Sequence, residues 1–179
     1  FIIQKFSMRY LLGDHHYRHY FPLFTAITSF ASLAWMSEDL RLMALCWGMT
    51  LLCLTLLMNV NRFWKVPRES AKLSSMTFLC GWLAFVGAIV TIYIATGEWR
   101  VPQHIVHPTW SLLTNVLLVL AVMIPAAQFP FHRWLIESVT APTPVSAIMH
   151  AGIVNAGGVI LTRFAPIFDK IGRASCRER

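Results

Sequence analysis

Apolar blocks about as long as a bilayer is thick recur along the chain, and this constrains its fold more than any motif. A hydrocarbon core of about 30 Å is crossed by roughly 20 helical residues rising 1.5 Å each. Five blocks approach that length: span A from Phe21 to Met36, B from Leu40 to Val60, C from Leu73 to Thr96, D from Trp110 to Ala127 and E from Pro144 to Arg163. Span A is short enough that its start could lie before Phe21. Hydrophobic residues make up 56% of the 179 and charged ones only 13%, more apolar surface than a soluble core of this size could hide. The fold class read from this pattern is all-α, a polytopic transmembrane helix bundle lying in a lipid bilayer.

A net charge of +7 is compatible in principle with nucleic-acid binding, but the basic residues sit in short loops between apolar blocks rather than along one face. That is the distribution membrane topology produces, and nucleic acid is excluded as a partner. The B–C loop carries Arg62, Lys65, Arg68 and Lys72 against Glu69, whereas the A–B turn has Glu38, Asp39 and Arg41 and the C–D loop Glu98 and Arg100. The positive-inside rule places the B–C loop in the cytoplasm. Two crossings away, Lys5, Arg9 and Arg18 against Asp14 give the segment before span A the same side. Trp64, Trp99, Trp110 and Trp134 fall near span ends, where interfacial aromatics are expected.

The chain starts inside an apolar segment at Phe1, with no initiator Met and no signal-peptide plan. Residues 171–179, IGRASCRER, turn abruptly polar and resemble translated sequencing adapter. They read as a non-native tail, and the natural protein is expected to be longer at both ends. Cys46, Cys53 and Cys80 lie in apolar blocks and Cys176 in the tail, without CxxC spacing; they are expected to be packing residues. Gly157-Gly158 fits close helix packing rather than a phosphate loop.

Residues 127–158, AQFPFHRWLIESVTAPTPVSAIMHAGIVNAGG, break the rules of an ordinary membrane helix. Pro125 and Pro130 each remove an amide donor and obstruct the carbonyl four residues back, so span D should be interrupted. Freed backbone groups cannot face lipid, and interrupted helices at membrane depth line polar cavities or pack on protein. His132, Arg133, Trp134 and Glu137 should form a short half-helix or re-entrant piece near the cytoplasmic side. Span E restarts at Pro142-Thr143-Pro144, with proline tolerated in a first turn. At about 100° per residue, Thr143, Ser146, His150 and Gly157 share one polar and small stripe, expected to face the bundle interior.

His150 is a titratable group inside an apolar span, and its pKa range suits reversible protonation near neutral pH. A proton carrier and a neutral, hydrogen-bonded core histidine are both consistent with this position. Glu137 and Arg133 are either a local i,i+4 pair or part of a proton entry. Asn155 lies off the stripe and is expected to hydrogen-bond to a neighbouring helix. His15, His16 and His19 near Asp14 resemble metal-ligand spacing but have nothing to fix them, and His104 and His107 flank a proline-rich loop. No metal site and no cofactor is assigned to the chain.

From Gln128 to Gly158 these residues resemble the proton-translocation signature of the antiporter-like membrane proteins, namely the L subunit of complex I (mitochondrial subunit 5) and the largest, A-type component of Mrp exchangers. The resemblance rests on the broken helix before Gln128-Phe129-Pro130, the Trp134-Leu135 pair, and Pro142-Thr143-Pro144-Val145-Ser146-Ala147 with His150 four residues after Ser146. The variants FPFHRWL and HAGIVNAGG, together with Arg9-Tyr10-Leu11, Gly13-Asp14, Trp47 and Thr50, are most similar to the membrane subunit of the DAB-type inorganic-carbon complex, which accumulates bicarbonate or carbon dioxide. Residues 1–170 would then be part of an antiporter-like domain in a bacterial inner membrane. Two positions depart from the respiratory pattern. Gly48 follows Trp47 where those members have a glutamate, and Pro125 stands where they have a lysine. That ion pair is thought to drive pumping by electrostatic switching, and it is absent here.

The resemblance implies a subunit that conducts protons, or sodium ions, down their gradient, energising a cytoplasmic zinc-binding carbonic-anhydrase-like partner; the zinc is the partner's. His150 would carry the proton, Thr143 and Ser146 would hold water beside it, and Glu137 with His132 would form the cytoplasmic mouth. The alternatives are a proton-translocating subunit of NADH-quinone oxidoreductase without a redox centre of its own, an Mrp-type sodium/proton exchanger subunit, and a purely structural membrane scaffold.

Overall fold

The computed structural model describes residues 2–10, 17–59, 65–101, 108–138, 141 and 143–168. The B–C loop before Lys65, the histidines His15, His16, His104 and His107, Pro142 and the tail 171–179 lie outside them, as does the side chain of His19. Among the described residues the elements are helical: α1 (Ile2–Tyr10), α2 (Tyr17–Met36), α3 (Leu40–Met58), α4 (Lys65–Thr96), α5 (Pro108–Met123), α6 (Arg133–Glu137), α7 (Thr143–Ile148) and α8 (Val154–Arg163). A π turn, Met149–Ile153, joins α7 to α8, so Thr143–Arg163 runs as one stretch of 21 residues.

Leu40–Met58, Ala71–Thr96 and Thr143–Arg163 are long and apolar enough to cross a membrane, and Tyr20–Met36 and Leu112–Met123 are shorter apolar helices. Span C, expected from Leu73, is the end of a helix that begins at Lys65. Span B stops at Met58 and span D at Met123, short of the expected Val60 and Ala127. The cause in span D is Pro125, which cannot donate to the carbonyl four residues back.

Successive helices pack side by side, α2 on α3, α3 on α4 and α4 on α5; α8 lies on α5, α6 on α4, and α1 on α7. Aromatic rings fill the interior. Trp47 of α3 and Phe78 and Phe85 of α4 are almost wholly buried. Trp35 and Trp47 join α2 to α3 with centroids 5.4 Å apart, and Phe85 meets Phe164 edge-on at 6.1 Å. Leu45, Leu52, Leu79, Leu83 and Leu112 point outward, an inversion natural where the solvent is hydrocarbon. Cys80 is exposed while Cys46 and Cys53 are buried, so the packing role expected of all three holds for two.

One end of the bundle is tied by polar contacts. Asp39 caps α3, accepting the Arg41 backbone N–H at 2.8 Å, and both oxygens of its carboxylate also accept from the Arg41 guanidinium. The Leu40 N–H donates to the Trp99 carbonyl at 2.8 Å, and the Arg41 guanidinium sits 5.0 Å above the Trp99 ring, which stacks on Tyr93. Arg163, at the end of α8, donates to the Ser37 carbonyl at 2.9 Å. The ends of α2, α4 and α8 therefore share a side, as an even number of crossings between them requires, and this side is opposite the basic B–C loop.

A broken helix beside a histidine-bearing span

After Met123 the chain turns through residues 124–131 before α6. The α5 end closes as a Schellman-type cap: Gln128 N–H reaches back to the Met123 carbonyl at 3.1 Å and Ala127 N–H to that of Ile124 at 3.3 Å. Ala127 supplies the left-handed residue such a cap needs, at φ 53°. Glycine is the usual occupant, because a Cβ in that region costs about 1–2 kcal/mol. The Phe129–Pro130 peptide is cis.

Trp134 completes the break. Its indole Nε1 donates to the Ile124 carbonyl at 3.2 Å, its ring is 1% exposed, and it meets Phe78 edge-on with centroids 4.6 Å apart. The expectation of an interfacial tryptophan is therefore corrected. Trp134 lies inside, because the severed helix presents a carbonyl that a neighbouring donor satisfies better than lipid can. The break also sits within the apolar length of α4. A Cβ on Gly81 would meet Ile124 and Pro125 at 3.2 and 3.3 Å, and Gly81 belongs to Ala71–Thr96, away from either end.

Span E passes close to the same place. A Cβ on Gly157 would meet Val122 Cγ1 at 2.8 Å and the Val122 carbonyl at 3.4 Å. Further along α7–α8 the expected stripe divides. Gly157 is buried, Ser146 is half-buried, and Thr143 and His150 are exposed on the outward side of the described bundle. The physical reason is the π turn, whose extra residue swings everything beyond it by about 100°. His150 lies in that turn, where Val154 N–H bonds to Met149 O. Asn155 donates from Nδ2 to the His150 carbonyl at 3.0 Å, within its own helix rather than to a neighbour as expected. The remaining exposed residues along this span include Ala147, Ala151, Gly152 and Gly158, a small-residue surface suited to close helix contact.

The other candidates are dispersed. Arg133 Nε donates to Glu137 Oε1 at 2.9 Å, the local i,i+4 pair. His132 is exposed at the start of α6, its ring stacked on Phe129 with centroids 5.9 Å apart. Pro125 is buried at the break and Pro130 exposed beyond it. Among the described residues no three His, Cys, Asp or Glu side chains gather as metal ligands. In α3, the place of the respiratory glutamate is filled: a Cβ on Gly48 would fall 2.5 Å from the Trp82 indole nitrogen, which donates to the Ala44 carbonyl at 2.9 Å. Spacing could not reveal Trp134 as the cap, Trp82 as the filler or the π turn, since each depends on a partner in another helix or on a one-residue register change.

A polytopic helix bundle with a severed helix packed on a histidine-bearing span defines a class of membrane subunit, and comparison with known proteins agrees. Residues 37–175 match the family model "NADH:quinone oxidoreductase/Mrp antiporter, TM", and the chain belongs to that family of multi-pass membrane proteins. It is 54% identical, over 94% of its length, to a Bacillus subtilis protein named "Probable inorganic carbon transporter subunit DabB", and 52% identical over 93% to its Bacillus anthracis counterpart. A sodium/proton antiporter component from Staphylococcus saprophyticus is 28% identical over 93% of the chain and is covered over 22% of its own length. Among solved structures, the Mrp complex from a Dietzia species superposes with a TM-score of 0.75 at 27% identity, over 81% of this chain and 17% of that one. The chain spans about a third of the length of the two Bacillus relatives, 34% and 35%.

Proposed function

We propose that this chain is part of a cation-conducting membrane subunit, in a bacterial inner membrane, that energises inorganic-carbon uptake. The observation that carries the reading is the seating of the His150 span against the severed end of α5, with Gly157 packed on Val122. Broken backbone at membrane depth is tolerated where it is buried in protein or lines a wet cavity, and a titratable imidazole on the adjoining span supplies a group that can take and release a proton. His150 is the eighth of 21 residues in its span, about 10 Å from the helix start at 1.5 Å per residue. In this reading it carries the proton. Thr143 and Ser146 hold water on its approach, and Glu137 and His132 stand at the cytoplasmic mouth. The polar and small-residue face that carries His150 is covered by protein in the whole subunit, not by lipid.

Inorganic carbon is favoured as the coupled substrate because the relatives at 52% and 54% identity bear that name, against 28% for the sodium/proton antiporter. The filled space at Gly48 supports the same choice, since a pump relying on a carboxylate there would have to expel Trp82. The partner in this reading is a cytoplasmic zinc-binding, carbonic-anhydrase-like protein, which draws on the ion gradient to make hydration of carbon dioxide one-way.

The test uses a carbonic-anhydrase-deficient host expressing the full-length gene with and without its neighbouring gene. Growth in ambient air with both genes, and loss of that growth with either alone or with His150→Ala, is the expected result. Growth that needs neither the partner nor His150 would overturn the proposal. Rescue of sodium sensitivity instead would assign an exchanger.

A further inference from the structure

Asn155 sits on the same open face as His150, five residues on, and its side chain does something a helical residue there need not do. In an α-helix the Val154 N–H would bond to the His150 carbonyl, four residues back. Here it bonds to Met149 O, five back, and the His150 carbonyl instead accepts Asn155 Nδ2 at 3.0 Å. The side-chain amide takes over the donor role that the π turn withdraws. Asparagine is a poor helix former and an expensive residue on a membrane helix, whereas a donor to a carbonyl left by a π turn stabilises that turn and no other register.

We propose that Asn155 is the positioning residue of the ion path, a clip that holds the π turn and with it the direction of the His150 side chain; the functional part of this inference rests on His150 being the carrier. Without the clip, Val154 N–H can return to the His150 carbonyl. The turn then closes by one residue, rotating Thr143, Ser146 and His150 by about 100° and 1.5 Å relative to α8. Displacements of about 1 Å at a reacting group cost on the order of 100-fold in rate, so the imidazole would leave the path while the helix itself survived. Because α8 is anchored at Gly157 on α5 and at Arg163 on Ser37, the movement falls on the α7 side, where His150 lies.

The experiment uses the full-length protein in proteoliposomes, with proton flux under an imposed potential followed by an entrapped pH dye. In parallel, infrared spectra of carbonyl-13C-histidine protein are recorded, the His150 band being identified by its loss in His150→Gln. Asn155→Leu should lower the flux at least tenfold and move the His150 carbonyl band, while Asn155→Gln, which keeps an amide donor, should restore most of the flux. If Asn155→Leu does not assemble, Asn155→Ser, which lacks the reach, carries the same expectation. An unmoved band, or full flux in the Leu or Ser variant beside an inactive His150→Gln, would overturn the clip. Full flux in His150→Gln itself would instead overturn the carrier reading.

Discussion

Trp134 donates its indole N–H to the carbonyl of Ile124 at 3.2 Å, bridging the two sides of the severed helix with a single buried ring. Replacing it separates donor from ring. Trp134→Phe keeps an aromatic against Phe78 and loses the hydrogen bond, and should cost about 1 kcal/mol, since Ile124 still accepts from Ala127. Trp134→Ala also leaves a cavity and should cost about 3–5 kcal/mol. Thermal unfolding of the detergent-solubilised protein would separate the two, and equal losses would show that the N–H is irrelevant.

Gly157 lets α8 approach α5 so closely that one methyl group is too many. Gly157→Ala should destabilise by about 1–3 kcal/mol through overpacking on Val122. Shortening the neighbour in Gly157→Ala with Val122→Ala should recover much of that loss. A double-mutant cycle without coupling would mean that the two helices are not in contact at this point.

Gly48 offers a third test. Introducing the respiratory-type carboxylate with Gly48→Glu should lower stability by several kcal/mol, because the side chain must displace Trp82 and bury a charge without an established partner. Pairing it with Trp82→Ala should restore folding without restoring the respiratory mechanism, whose lysine position is Pro125. A stable, active Gly48→Glu single variant would contradict the packing described.

Asp39 lies outside the spans, and its carboxyl is held at about 2 against an ordinary 3.8, chiefly by hydrogen bonds from the Arg41 side chain and backbone. A carboxyl depressed by folding stabilises the native state above its unfolded value and loses that contribution as pH falls through the folded one. The junction of residues 37–41 with 97–100 should therefore loosen between pH 4 and about 2, read as faster hydrogen exchange at the Leu40 amide that bonds to Trp99. Asp39→Asn should exchange faster at neutral pH and show no further change over that window; an unchanged wild-type profile would remove Asp39 from the junction.

The amino-acid sequence by itself determined that this is a helical membrane protein, where its spans fall, and that one of them breaks. Those properties depend on composition, period and proline chemistry, which act within a few residues of their cause: Pro125 ends α5 wherever the rest of the chain lies. Tertiary structure alone decided that Trp134 closes the break instead of anchoring at an interface, that Trp82 occupies the space beside Gly48, and that Gly157 and His150 take different sides of one span. The first two are contacts between different elements. The third follows from a π turn that moves the register by one residue, a choice that packing and the Asn155 amide make and that periodicity, which assumes a constant rotation per residue, does not contain.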